Sequence, residues 1–181
     1  TGVEVTNYQL TPTSRASDAS ERSIRVVKVP SGYLYAYDNK GKISVYNPLF
    51  DRFELCHDLA SVLHGGAIVN TLYISADGTL WVGLHDGLYL LPPRGKGRWV
   101  MRGGAVNAIC SVGQRLAVAT DGGLLFVNPV SGHQHTLLAD MSVQSLYADK
   151  AGRLWAGTFR DGVKVVDIHT LSVLHLSLIH I

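Results

Sequence analysis

The sequence predicts an all-β protein: a partial β-propeller of about four four-stranded antiparallel blades, taken from a larger ring of about seven. Three observations predict it. Val69-Asn70, Val106-Asn107 and Val143-Gln144 open three similar segments spaced 37 residues apart. Short apolar runs inside each segment are separated by glycine turns at matched places. No segment shows a convincing helical period. Four strands in a unit of 37 to 45 residues make one propeller blade. A stacked solenoid or a plain sandwich is less natural at that length.

Residues 1–12, with "VEVTNYQL", read as the closing strand of a preceding blade. The first full blade, 24–60, is a diverged copy, "IRVVKVPSGYLYAYDNKGKISVY", with Tyr35 on its second strand. The insertion "HDLASVLHGGAI" lengthens the connection to the next blade. Blade 69–101 is the clearest copy, "VNTLYISADGTLWVGLHDGLYLL". Its Asp77-Gly78 and Asp86-Gly87 pairs are turn chemistry, because glycine admits positive φ at little cost. Blade 105–138 repeats the order with "LAVAT" and Asp121-Gly122-Gly123, and blade 143–176 with "LWAGT" and Arg160-Asp161-Gly162. Asn47-Pro48, Pro92-Pro93 and Asn128-Pro129 mark the turn into each weaker fourth strand. Residues 177–181 fit no blade position and read as sequence foreign to the gene.

Trp81 and Trp155 lie two repeats apart. Each is expected to fill space against a neighbouring blade, and Gly83, Gly87, Gly123, Gly157 and Gly162 to serve the repeat's backbone. This motif is scaffold rather than chemistry.

Composition narrows the function classes. An apolar fraction of 46% with 17% charged residues describes a folded protein. A net charge of +2 gives no nucleic-acid surface. No apolar run approaches the ~18 residues of a membrane helix. The start at Thr1, without a methionine or an apolar leader, reads as a piece of a longer chain. Cys56 and Cys110 have no CxxC spacing and read as buried or idle thiols. His133 and His135 share one face of an extended strand, yet no third ligand follows at a useful spacing, so no metal is expected. No serine sits in a Gly-x-Ser-x-Gly elbow, and "GKGR" at 95–98 lacks phosphate-loop spacing. No cofactor and no catalytic residue are expected in this segment.

The turns after each second strand share one face of a propeller with the connections between blades. That face presents His85, Asp86, Thr120, Asp121, Phe159, Arg160 and Asp161, with His64 and Arg102 from the connections. Aromatic faces beside charged groups suit a sugar, whose C–H surface and hydroxyls need both. Asp-Gly is also simply a good turn, and that plainer reading stands beside the functional one.

The strands "VNTLYISADGTLWVGLHDGLYLL" and "VQSLYADKAGRLWAGTFRDGVKVVD" resemble the two-component regulator propeller repeat. Asp77, Gly78, Leu80, Trp81, Val82, Gly83, Gly87 and Leu88 match its pattern, as do Leu154, Trp155, Gly157, Thr158 and Gly162. The third copy keeps Leu116, Thr120, Gly122, Gly123 and Leu124 but has Ala117 in the tryptophan's place. The resemblance implies the periplasmic sensor region of a hybrid histidine kinase anchored in the inner membrane. Such a region would detect oligosaccharides and signal to polysaccharide-utilisation genes. Its implied partners are the remaining blades, the kinase region and a second receptor in a homodimer. The kinase motifs themselves are absent from these residues. The alternatives are a propeller for protein–protein interaction and, behind it, a polysaccharide-acting enzyme.

Overall fold

A computed structural model describes residues 23–29, 31–60, 62, 63 and 68–174 of the chain. These residues form four four-stranded antiparallel sheets, each with its strands in chain order, and contain no helix. The first blade holds β1 (Ile24–Lys28), β2 (Leu34–Asp38), β3 (Lys42–Asn47) and β4 (Arg52–Asp58). The second holds β5 (Val69–Ile74), β6 (Leu80–Leu84), β7 (Gly87–Leu91) and β8 (Arg98–Arg102). The third holds β9 (Val106–Val112), β10 (Arg115–Thr120), β11 (Gly123–Val127) and β12 (Gln134–Leu137). The fourth holds β13 (Val143–Ala148), β14 (Arg153–Thr158), β15 (Val163–Asp167) and β16 (Ser172–Leu174). This is the partial propeller expected from the repeats. Residues 1–12, 177–181 and His64 lie outside the described residues.

Burial explains why the middle strands are apolar on both faces. Every residue of β6 and β11 is buried, because each sheet is sandwiched between two neighbours. The outer strands β8 and β12 are half-buried to exposed. Three apolar cores result, one at each junction. Tyr37 and Ile43 meet Leu72, Leu80 and Val82 between the first and second blades. Trp81, Leu88 and Leu90 meet Val106, Leu116 and Val118 between the second and third. Ala117, Leu124 and Phe126 meet Val143, Leu154 and Val166 between the third and fourth.

Trp81 is 2% exposed inside the second junction. Its counterpart Trp155 is half-buried, since its sheet face has no following blade among the described residues. The missing tryptophan of the third blade also has a physical account. Trp81 pairs across the strands with Leu90, whereas Ala117 pairs with Phe126. The large and small members have exchanged strands, which keeps the volume of the layer nearly constant.

Side chains fix the turns. Asn47 Oδ1 accepts from the Leu49 N–H at 3.0 Å, and Asn128 Oδ1 from Val130 and Ser131 at 2.9 and 3.0 Å. Asp167 Oδ1 does the same for His169 and Thr170, both at 2.9 Å. These Asx turns explain why Asn or Asp stands at the end of the third strand, or directly after it, in three of the four blades. One expectation needs correction: His133 precedes β12 rather than sharing a strand face with His135. Both histidines are exposed.

Candidate functional site

The second residue of each Val-Asn or Val-Gln pair is a β-bulge. Val69 and Thr71 face consecutive residues of β6, leaving Asn70 extra. Asn107 is extra in the same way against β10, and Gln144 against β14. A bulge frees one residue from the ladder and re-aims its side chain. Asn107 Nδ2 uses that freedom to reach the next blade, donating to the Val143 carbonyl at 2.9 Å. Arg25, two blades earlier, donates across the first junction to the Asn70 carbonyl.

The turns after the second strands dock beside these bulges. His85 N–H donates to the Ile68 carbonyl at 3.0 Å, Asp121 N–H to Ala105 at 3.1 Å and Phe159 N–H to Ser142 at 2.8 Å. With Asn39 N–H to the Ser23 carbonyl at 3.2 Å in the first blade, this bond recurs in all four blades and brings each turn to the start of its first strand. All the expected turn residues therefore lie at the same end of their blades.

Their roles divide. Asp121 is the centre of a polar cluster, accepting from Asn107 Nδ2 at 2.9 Å, Ser142 Oγ at 3.1 Å and Gln144 Nε2 at 3.4 Å. Gln144 Nε2 also donates to Ser142 Oγ at 2.8 Å. The Asp121 carboxylate is exposed and forms no ion pair among the described residues. The Arg160 guanidinium lies 5.6 Å from the centre of the Phe159 ring, which is 68% exposed. His85 Nδ1 stands 3.8 Å from Asp86 Oδ1, a buried atom without a hydrogen-bond partner among the described residues. Arg102 is turned away onto the Trp99 ring, 4.6 Å from its centre.

Thr120 belongs to the scaffold. It is buried, its hydroxyl donates to the Gly123 carbonyl at 2.9 Å, and it accepts from the Gly122 N–H. Thr158 closes the last turn likewise, accepting from the Asp161 N–H at 2.8 Å. Sequence reasoning missed Asn107, Ser142 and Gln144. The signal was present in the recurring Val-Asn and Val-Gln pairs, which served only as a register mark.

The arrangement can bind hydroxyl groups: an exposed carboxylate accepts from them, amides and a guanidinium donate, and an aromatic face takes C–H surface. Among the described residues no three His, Cys, Asp or Glu side chains come together to hold a metal ion. Cys56 and Cys110 are free, and burial pushes the Cys110 thiol up to about 11, away from thiolate chemistry at neutral pH.

Residues 137–160, which include the Leu154-Trp155 strand, match the family model described as two component regulator propeller. This stretch is similar to a two component regulator propeller repeat. The repeat extends from the end of β12 through the Phe159–Arg160 turn, so it contributes part of the candidate site. A search of the curated proteins finds no match.

Among solved structures, the fold is similar to the extracellular domains of two hybrid two component systems from B. thetaiotaomicron. One has a TM-score of 0.64 at 20% identity, covering 84% of this chain and 21% of that one. The other has a TM-score of 0.67 at 16% identity, covering 84% and 22%. PorZ, a surface component of the type-IX secretion system of Porphyromonas gingivalis, is similar at a TM-score of 0.63 and 13% identity, covering 84% and 27%. The chain thus spans about a fifth to a quarter of the length of the structures it matches.

Proposed function

We propose that this chain is part of the extracytoplasmic ligand-sensing propeller of a two component regulator, and that the ligand is an oligosaccharide. The observation that carries the reading is the propeller repeat at residues 137–160, set in four consecutive blades. Both extracellular domains of hybrid two component systems share the architecture. The site chemistry supports a sugar: Asp121 and its amide neighbours suit hydroxyls, and the Phe159 ring with Arg160 suits a pyranose face. The parent would be a periplasmic receptor anchored in the inner membrane and dimeric as a whole. Ligand binding would pass to its kinase region as a change in how the blades sit. This segment itself would have no catalytic role.

The test is calorimetric titration of defined oligosaccharides into the whole extracytoplasmic region of the parent, beside Phe159→Ala and Arg160→Ala. Both side chains are exposed, so the melting temperature should hold while affinity falls about tenfold or more. Unchanged affinity in both variants would remove the site. Failure of every oligosaccharide to bind would remove the ligand class.

The similarity to PorZ favours a second reading, a propeller used in assembly of a surface machine. A parent chain that co-purifies in a stable complex, and lacks kinase motifs, would select it.

A further inference from the structure

An open cleft of about 450 Å³ lies between the second and third blades, at the opposite end of the sheets from the polar cluster. It lies between the β5–β6 turn, with Ser75 and Asp77, and the β11–β12 turn, with Pro129. Trp81, Leu90 and Arg98 make its floor. They form a row across β6, β7 and β8, since Trp81 pairs with Leu90 and Leu90 with Arg98.

Two donors in this wall lack acceptors. The Trp81 indole N–H is buried and has no hydrogen-bond partner among the described residues. The fourth blade shows what is missing: there Trp155 Nε1 donates to Asp149 Oδ2 at 2.9 Å. Ser75 holds the position of Asp149, and the second blade's carboxylate has moved two residues on, to Asp77. Asp77 is already occupied, accepting from Ser75 Oγ at 2.8 Å, the Thr79 N–H at 3.0 Å and Thr79 Oγ1 at 2.9 Å. The second donor is Arg98, exposed and without a hydrogen bond or ion pair among the described residues.

A buried N–H left unpaired keeps its desolvation penalty, so an acceptor there gains more than one in water. An unpaired guanidinium lining the same cleft, two strands away, favours an anion, and a carboxylate offers two acceptor oxygens. Leu90 and Pro129 ask for an organic body rather than a bare ion, and the volume falls in the range of small-molecule sites. We propose that this cleft binds a small organic carboxylate, whose oxygens accept from the Trp81 indole and the Arg98 guanidinium. The site stands on the second and third blades alone and is independent of the oligosaccharide reading above.

Calorimetric titration of the full chain with glucuronate, benzoate and glucose tests it. Binding of glucuronate alone identifies a sugar acid, binding of benzoate alone an apolar acid, and binding of both the carboxylate itself; glucose should not bind. Arg98→Met, on an exposed strand, should keep the fold and weaken binding about tenfold. Ser75→Asp should supply the indole with an internal acceptor, leave the melting temperature equal or higher, and abolish carboxylate binding. The proposal is overturned if neither acid binds, if glucose binds as well as glucuronate, or if either variant binds like the parent chain.

Discussion

Trp81 and Trp155 occupy one repeat position in different surroundings, and their substitutions should differ accordingly. Trp81→Ala removes a side chain from a closed junction and should cost about 3–5 kcal/mol in a denaturant melt. Trp155→Ala should cost clearly less in this chain, because its side chain is only partly buried. Equal losses would show that the two environments are energetically the same. Asp149 gives a second residue-level test. The Trp155 indole N–H above all, then the Arg153 and Ala151 groups, hold its carboxyl well below the ordinary 3.8. A folded value below the unfolded one means that the bond's stability is present above that ordinary value and is lost as pH falls through the folded value. Asp149→Asn should therefore flatten the acid limb of the stability curve below about pH 4. An acid limb unchanged by this variant would contradict the assignment.

Glycines between strands show how an element is fitted to its neighbour. A Cβ on Gly83 would collide with Thr71 and come within 2.6 Å of Val106 Cγ1, the side chain that opens the next blade. Gly83→Ala should cost about 1–3 kcal/mol, the usual range for overpacking, measured by the shift of the denaturant midpoint. Gly157→Ala should be milder, because its close neighbour is the Ser145 side chain, which can rotate away. Gly87 has a different cause: its φ of 155° and the nearby Met101 carbonyl leave no room for a side chain where β7 begins. The bulges at Asn70, Asn107 and Gln144 belong to the same scale. They lengthen the first strand locally, and two of them turn a repeat mark into part of the polar cluster.

Each apolar core lies between blades, so stability rests on neighbour contacts more than on any one sheet. The two outermost described faces lack such a neighbour. Ile24 and Val26 on the first blade are 56% and 59% exposed, and Tyr147 and Val163 on the last are 68% and 52% exposed. Exposed apolar surface of that kind drives association. The 181-residue chain should therefore self-associate, with light scattering giving a mass above the monomer's 19.6 kDa. A monomeric result would show that these faces are covered within the chain. The same preparation should release no sugar from any polysaccharide. Cleavage abolished by substituting Asp86 or Asp161 would overturn that expectation.

The repeat was legible without coordinates because it is a local pattern. Short apolar runs, glycine turns and the return of Val69, Val106 and Val143 each arise from residues close in the chain, where backbone sterics and burial act directly. The turn residues were placed at one end of the blades by the same logic, but their roles were not. Thr120 looked like a site residue and is a turn closure, since only the folded turn brings its hydroxyl to the Gly123 carbonyl. Asp121 gains Asn107, Ser142 and Gln144 from 14 to 23 residues away, through bulges and blade packing that no local pattern encodes. The exchange of Trp81–Leu90 for Ala117–Phe126 is equally non-local: volume is conserved across a strand pair, not along the chain. Local chemistry determined the blades; the junctions between them, and the polar groups left paired or unpaired there, were decided only when distant repeats packed together.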